Sequence, residues 1–108
     1  MALPRCNRLV GKKEFNRVFK EGRTVKGSFL FIKARLSSSN NSRFGFIVPS
    51  KIYKNAVDRN RIKRILSEII YLNINKIKGG QDVVIVVRAR VEEETFKNEL
   101  LNFIIKTL

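Results

Sequence analysis

A dense run of basic side chains between residues 51 and 68 offers the clearest binding chemistry in this sequence. Residues 51–64 contain six basic side chains and a single acid. Helices that are simply solvated usually mix the two charges in i,i+4 pairs, which this stretch does not do. Guanidinium and ammonium groups at this density bind phosphate oxygens. The run therefore favours a polyanionic partner, with a solvated surface helix as the alternative.

The same stretch predicts the helix that positions these cations. Asn55 is the predicted N-cap, and the helix is expected to start at residue 55 or 56 and to run to about residue 75. At about 100° per residue, the aliphatic side chains fall within an arc of about 140°, which is wide enough to lie on a core. These side chains are Ile62, Ile65, Leu66, Ile69 and Ile70. We expect the polar side chains of the helix on the remaining arc: Arg59, Asn60, Lys63 and Arg64, with Arg61 at its border.

The net charge of +14 is concentrated in one part of the chain. Residues 1–64 carry 17 Lys and Arg against three acids, whereas residues 65–108 carry six against six. Such an imbalance indicates a nucleic acid or an anionic membrane as partner. Membrane adsorption would call for Trp or Phe on the apolar side of the basic helix, where only aliphatic side chains occur. No apolar run exceeds residues 83–87, far short of the ~20 residues that span a bilayer. We therefore expect a nucleic-acid partner and no membrane association.

The residue types that a protein needs for catalysis of its own are scarce. The chain has no histidine, and its nine acids form no recognisable pair except the run at residues 92–94, which suits the start of a helix. No glycine-rich phosphate loop is present. Cys6 is the only cysteine, which excludes an intrachain disulfide and argues against a zinc site. We expect no catalytic residue in the protein and a reducing, cytoplasmic location. No set of metal ligands is assigned, and a metal ion bound near the basic helix stays open.

A second candidate surface combines aromatic rings with cations. Residues 28–36 alternate as a strand does, with an aliphatic face of Leu30, Ile32 and Ala34. The other face carries Phe29, Phe31, Lys33 and Arg35. Rings followed by cations are what a strand needs to stack bases and hold their phosphates. This face is therefore a candidate site for single-stranded nucleic acid.

A short helix is predicted at residues 11–21, ending with Gly22 at the C′ position. Phe15, Val18 and Phe19 share its apolar face, and Arg17 is one of the basic side chains around that face. Phe15 and Phe19 either pack this helix on the sheet or flank a groove together with the aromatic strand face. The sequence leaves both interpretations open.

The rest of the chain completes an α+β pattern. Residues 37–42 predict a polar hairpin loop and residues 43–49 the return strand, with Gly45 allowing close backbone approach and Pro49 ending it. After the basic helix, residues 78–80 close the segment, and residues 82–88 predict a strand buried on both faces. Residues 92–107 predict a last helix. The predicted order is α-β-β-β-α-β-α, an α/β sandwich with one sheet in a single domain, residues 1–108.

The motif AVDRNRIKR at residues 56–64 resembles the signature of the bacterial ribonuclease P protein subunit, the small basic partner of a catalytic RNA. The resemblance extends to NRL at residues 7–9, FNRVF at residues 15–19 with Gly22, RFGFIV at residues 43–48, and the strand at residues 82–88. It covers nearly the whole chain in the family's order and spacing. Two positions depart from the pattern. Pro49 stands where a small or polar residue is common, and Lys33 stands where an aromatic residue can occur, which suggests a phosphate contact in place of a stacking contact.

The resemblance implies both a fold and a function. The implied fold is a four-stranded mixed sheet with a left-handed β-α-β crossover, the ribosomal protein S5 domain 2-like arrangement. The implied function is to help the RNA subunit remove the 5′ leader of precursor tRNA. The residues implied to bind the catalytic RNA are Lys51, Lys54, Asn55, Arg59, Asn60, Arg61, Lys63 and Arg64. The residues implied to bind the leader are Phe15, Arg17, Phe19, Phe31 and Lys33. Mg²⁺ would be held mainly by the RNA and the substrate, without an organic cofactor, and the protein would be a monomer.

Two other classes of function are open on the residues alone. An RNA-binding module of the ribosome, or of another ribonucleoprotein without a catalytic partner, would share the basic helix but would not need the aromatic and basic strand face. A protein nuclease would need clustered carboxylates in the basic half, where only Glu14, Glu21 and Asp58 are available.

Overall fold

The computed structural model describes residues 3–37, 41–76 and 79–107. Its helices and strands follow the predicted order, with short 3₁₀ turns at Arg5–Asn7 and Ile74–Lys76. They are α1 (Lys12–Glu21), β1 (Arg23–Lys26), β2 (Leu30–Leu36), β3 (Arg43–Ile47), α2 (Ala56–Leu72), β4 (Gln81–Val87) and α3 (Glu93–Thr107). The α+β class and the four-stranded mixed sheet are confirmed. The predicted order included one strand without assigned residues, and that strand is β1.

The strand order in the sheet is β1-β2-β4-β3. β4 is antiparallel to β2 and parallel to β3, so β3 and β4 are joined through α2 as a crossover. The predicted hairpin between residues 28–36 and 43–49 is therefore wrong, because β4 lies between these two strands. All seven residues of β4 are buried, and a strand buried on both faces takes a central position with a neighbour on each side. Residues 38–40 of the predicted loop lie outside the described residues.

Each face of the sheet carries its own apolar core. The larger core packs α2 and α3 on the sheet, through side chains such as Leu66 of α2 and Phe96 of α3. The smaller core lies under α1 and contains the buried side chains Leu9, Val18, Val84 and Val86, with Phe15, Phe19, Phe31 and Ile47 packed against them. The face under α1 therefore buries fewer side chains, and its aromatic residues remain half-exposed.

Phe29 does not share a face with Phe31, which corrects the predicted alternation. Only 3% of Phe29 is exposed, and its ring centroid lies 4.9 Å from that of Phe96 in the larger core. The regular strand starts one residue later, at Leu30, so the period-2 pattern does not extend back to Phe29.

Gly22 ends α1, but for a different reason from the one predicted. Its φ of −81° and ψ of 153° are extended rather than left-handed, so the chain passes directly from α1 into β1. A Cβ at this position would lie 2.5 Å from the carbonyl oxygen of Val18 and 3.0 Å from that of Ala34. Glycine is required here because helix and strand backbones approach so closely.

The predicted start of α2 is correct, whereas its end comes earlier than expected. Asn55 is the N-cap, and the α-helix stops at Leu72, where the Asn73 side chain donates a hydrogen bond of 2.8 Å to the carbonyl of Ile69. No helix in the described part of the chain is long and apolar enough to cross a bilayer.

Candidate nucleic-acid interface

The first turns of α2 and the loop before it form a continuous basic surface. Most of the side chains predicted to bind the catalytic RNA are exposed there: Lys51, Lys54, Asn55, Asn60, Arg61 and Arg64. Lys63 and Arg59 are half-buried on the same helix. The aliphatic side chains of the opposite arc hold the helix on the larger core, with Ile62, Ile65, Leu66 and Ile70 buried. One amphipathic helix therefore presents most of these side chains on its exposed side. Arg59 is the exception, because at about 100° per residue it falls between Leu66 and Ile70, which corrects its predicted place on the polar arc.

Arg59 has a structural task within this surface. Its Nη1 donates hydrogen bonds to the backbone carbonyls of Tyr53, at 3.0 Å, and Lys54, at 2.8 Å. These bonds tie the loop to the helix that follows it. Part of the hydrogen-bonding capacity of Arg59 is thus used to hold the position of its neighbours.

Arg61 is held by a carboxylate from another helix. Its Nη2 donates a hydrogen bond of 2.7 Å to Oε2 of Glu93, the first residue of α3. The side chains of both residues remain accessible, with 63% of Arg61 and 38% of Glu93 exposed. Glu93 was predicted only to lie at the start of a helix, and its pairing with Arg61 was not predicted from the sequence.

The second surface lies on the face of the sheet that also carries α1. Phe31 and Lys33 project there from β2, opposite Lys26 and Thr24 of β1. These four side chains and Arg88 line a depression of about 470 Å³. A ring beside three cations at one depression provides both a stacking surface and phosphate contacts.

Arg88 connects the two surfaces. Its guanidinium carbon lies 5.9 Å from the centroid of the Phe31 ring, within the range of a cation–π interaction. It also lines a second depression, of about 310 Å³, together with Lys51 and Pro49 from the loop before α2. Lys26 and Arg88 were not among the predicted site residues. Their positions at the end of a strand beside Phe31 follow only from the strand pairing.

The predicted aromatic residues of α1 stand apart from this depression. Phe15 and Phe19 are half-buried against the smaller core and are not among the described residues that line the depression. The ring of Phe15 lies on the backbone of Gly45, where an added Cβ would be 2.3 Å from Cζ. Packing therefore accounts for part of the role of Phe15, and Arg17 is exposed on the outer side of α1.

An ion-pair network around the buried Asp82 reaches α1 at the other end of the same face. Asp82 is fully buried and accepts two hydrogen bonds of 2.9 Å from Arg43 and one of 3.4 Å from Arg35. Arg43 also reaches Glu14 of α1 at 3.3 Å. The hydrogen bond to Asp82 is the main cause that raises the pKa of Arg43 above its usual value, so its charge persists at any physiological pH. Arg35 is consequently engaged in structure rather than in the depression.

Protein ligands for a metal ion do not come together in the described structure. No group of three or more His, Cys, Asp or Glu that could hold a metal occurs among the described residues. Asp58, Glu14 and Glu21, the acids of the basic half, are spread over α1 and α2. Among the described residues, these acids do not form the cluster of oxygen ligands that a protein needs to hold a catalytic metal ion.

Comparison with known proteins identifies the family to which this chain belongs. The family model described as Ribonuclease P matches residues 3–107. The chain belongs to the ribonuclease P protein family. A ribonuclease P protein component from Finegoldia magna is 41% identical over 90 residues, covering 83% of this chain and 78% of the relative. Another from Clostridioides difficile is 38% identical over 96 residues, covering 85% and 83%. The RNase P protein structure from Thermotoga maritima has a TM-score of 0.82 at 30% identity and covers 94% of this chain and 97% of its own.

Proposed function

We propose that this chain is the protein subunit of ribonuclease P, which binds the catalytic RNA and assists removal of the 5′ leader from precursor tRNA. The observation that carries the proposal is the presence of two distinct surfaces on one small fold. One is the cation-rich start of α2, and the other is the aromatic and basic depression on the sheet. Membership of the ribonuclease P family supports RNA as the partner of these surfaces.

In this proposal the catalytic RNA binds along the loop before α2 and its first turns. The six cations of this surface neutralise RNA phosphates: Lys51, Lys54, Arg59, Arg61, Lys63 and Arg64. Asn55 and Asn60 donate hydrogen bonds. Arg59 contributes by holding the loop in place through its two backbone hydrogen bonds. If about six phosphates are neutralised, the logarithm of the affinity should fall with the logarithm of the salt concentration at a slope of roughly −4 to −5.

The single-stranded leader is proposed to cross the depression at Phe31. The half-buried ring of Phe31 stacks one base, and Lys33, Lys26 and Arg88 hold the phosphates beside it. Phe15 and Phe19 of α1 pack against the same face, and the exposed Arg17 lies on the same helix. Each stacked base contributes ~1–3 kcal/mol, which is enough to distinguish a precursor from a mature tRNA that has no leader.

The chain's own residues bind and position RNA and carry out no bond chemistry. Mg²⁺ is proposed to be bound mainly by RNA and substrate phosphates, where it supplies the activated water for hydrolysis. The protein contributes by lowering the repulsion between the two RNAs, so that metal and substrate bind at lower salt. We propose a monomer that works in the cytoplasm, in keeping with the single, exposed Cys6.

A reconstitution assay tests this function. Precursor tRNA is incubated with the chain alone, with the catalytic RNA of ribonuclease P alone, and with both, at low Mg²⁺ concentration. We expect cleavage at the mature 5′ end to be accelerated only when both are present. Cleavage by the protein alone would identify a protein nuclease. No acceleration in any mixture would identify an RNA-binding module without a catalytic partner.

A further inference from the structure

The contact between Arg61 and Glu93 joins a cation of the basic surface to an acid from another helix. Within the described residues, it is the one ion pair formed by a cation of α2. The two residues are 32 positions apart, so the contact depends on the docking of α3 beside α2. Because both side chains are accessible, a ligand from solution can reach the guanidinium and compete with the carboxylate.

A small pocket adjoins this ion pair. It has a volume of about 160 Å³ and is lined by Tyr53, Asp58, Arg61, Ile62, Arg90, Val91 and Glu93. The guanidinium carbon of Arg90 lies 5.1 Å from the centroid of the Tyr53 ring. The Tyr53 hydroxyl is buried and has no hydrogen-bond partner among the described residues. Two guanidiniums and two carboxylates therefore meet at this pocket, which makes it nearly neutral within a strongly basic surface.

A carboxylate and a phosphate compete for the same side of a guanidinium. Both accept two parallel hydrogen bonds from its N–H groups. An accessible ion pair typically changes an equilibrium constant by less than about fivefold, so an RNA phosphate can displace Glu93 at low cost. The released carboxylate keeps a second partner, because Nζ of Lys97, one turn further along α3, lies 3.5 Å from its Oε1. It also stays in the first turn of α3, where the helix dipole favours an acid.

We propose that the pocket between Arg61 and Arg90 is a phosphate subsite and that Glu93 is its internal competitor. In the free protein the carboxylate of Glu93 occupies the phosphate position on Arg61. On binding, one RNA phosphate takes that position and Glu93 turns to Lys97. This inference rests on the proposed function, since it requires that α2 bind RNA.

The test compares Glu93→Gln with Glu94→Gln in binding to the catalytic RNA of ribonuclease P at fixed salt. Both substitutions remove one negative charge from the first turn of α3. Glu94 is exposed and forms no ion pair with a described residue, so its variant measures the effect of net charge alone. We expect Glu93→Gln to bind about two- to fivefold more tightly than Glu94→Gln. Equal affinities, or weaker binding by Glu93→Gln, would overturn the inference.

A double-mutant cycle isolates the role of Arg61. In an Arg61→Ala background the advantage of Glu93→Gln should disappear, because the guanidinium for which carboxylate and phosphate compete is absent. An advantage that persists there would refute competition at Arg61. Thermal melts of each variant separate binding from folding. If the wild-type chain binds no catalytic RNA, the proposed function fails as well, whereas equal affinities of the two glutamine variants refute this inference alone.

Discussion

Gly45 lies directly beneath the ring of Phe15, so the substitution Gly45→Ala places a methyl group where that ring lies. The new Cβ would be 2.3 Å from Cζ and 2.8 Å from Cε2 of Phe15. Carbon atoms in contact are normally separated by about 3.5–4.0 Å, so the ring must move by more than about 1 Å. Gly45 has no positive φ, and the backbone itself accepts an alanine. The substitution therefore acts through Phe15.

The net effect on stability follows from two opposing contributions. Displacing a packed ring costs about 1–3 kcal/mol. Replacing glycine by alanine in a strand regains about 0.5–1 kcal/mol by reducing the entropy of the unfolded chain. We expect the free energy of unfolding to fall by about 0.5–2 kcal/mol, which corresponds to a decrease in Tm of about 2–8 °C for a chain of this size.

The assay is thermal and urea unfolding of four proteins: wild type, Gly45→Ala, Phe15→Ala and the double variant. In the Phe15→Ala background there is no ring to displace, so Gly45→Ala should become neutral or stabilising by about 0.5 kcal/mol. The same destabilisation in both backgrounds would refute the steric argument. If Phe15 also borders the leader, Gly45→Ala should lower the preference for precursor over mature tRNA without changing affinity for the catalytic RNA.

Four further predictions address the two surfaces and the ion-pair network. Phe19→Ala should weaken binding of precursor tRNA by about fivefold or more relative to mature tRNA, and equal loss for both tRNAs would remove Phe19 from the leader site. Arg61→Ala should weaken assembly with the catalytic RNA by about tenfold. Filter binding measures both effects. Asp82→Asn should lower the free energy of unfolding by about 2 kcal/mol in urea titrations, because two partly exposed arginines lose their carboxylate, and an unchanged midpoint would contradict this. Arg59→Lys should lower Tm by about 4 °C, since a lysine cannot bond both loop carbonyls, while the exposed Arg64→Lys serves as the control with little change in Tm.

The elements predicted most accurately are those whose burial is set by their own residue spacing. The apolar arc of α2 places Ile62, Ile65 and Leu66 on the larger core, and the β-branched run of β4 is buried along its whole length. In both cases the side-chain period of 3.6 or the absence of any polar face determines which surfaces must be covered. The burial of α2 and β4 could therefore be predicted without knowing which elements pack against them.

Which strands pair could not be predicted from the spacing of residues. β2 and β3 have the length and the loop of a hairpin, but β4 lies between them. Residues that alternate in a hairpin alternate in the same way in separated strands, so local periodicity does not distinguish the two arrangements. The choice depends on β4, more than thirty residues away along the chain, which needs a neighbour on each side.

The sequence by itself determined the chemistry of this protein: cations without balancing acids at the start of α2, aromatic and basic residues on one strand, and no histidine. Only the tertiary structure decided which of these groups meet. Phe29 packs in the larger core, Arg88 lies against the ring of Phe31, and Arg61 donates a hydrogen bond to Glu93. Charge and ring character belong to each residue type, whereas contacts across a sheet or between helices depend on how distant segments pack.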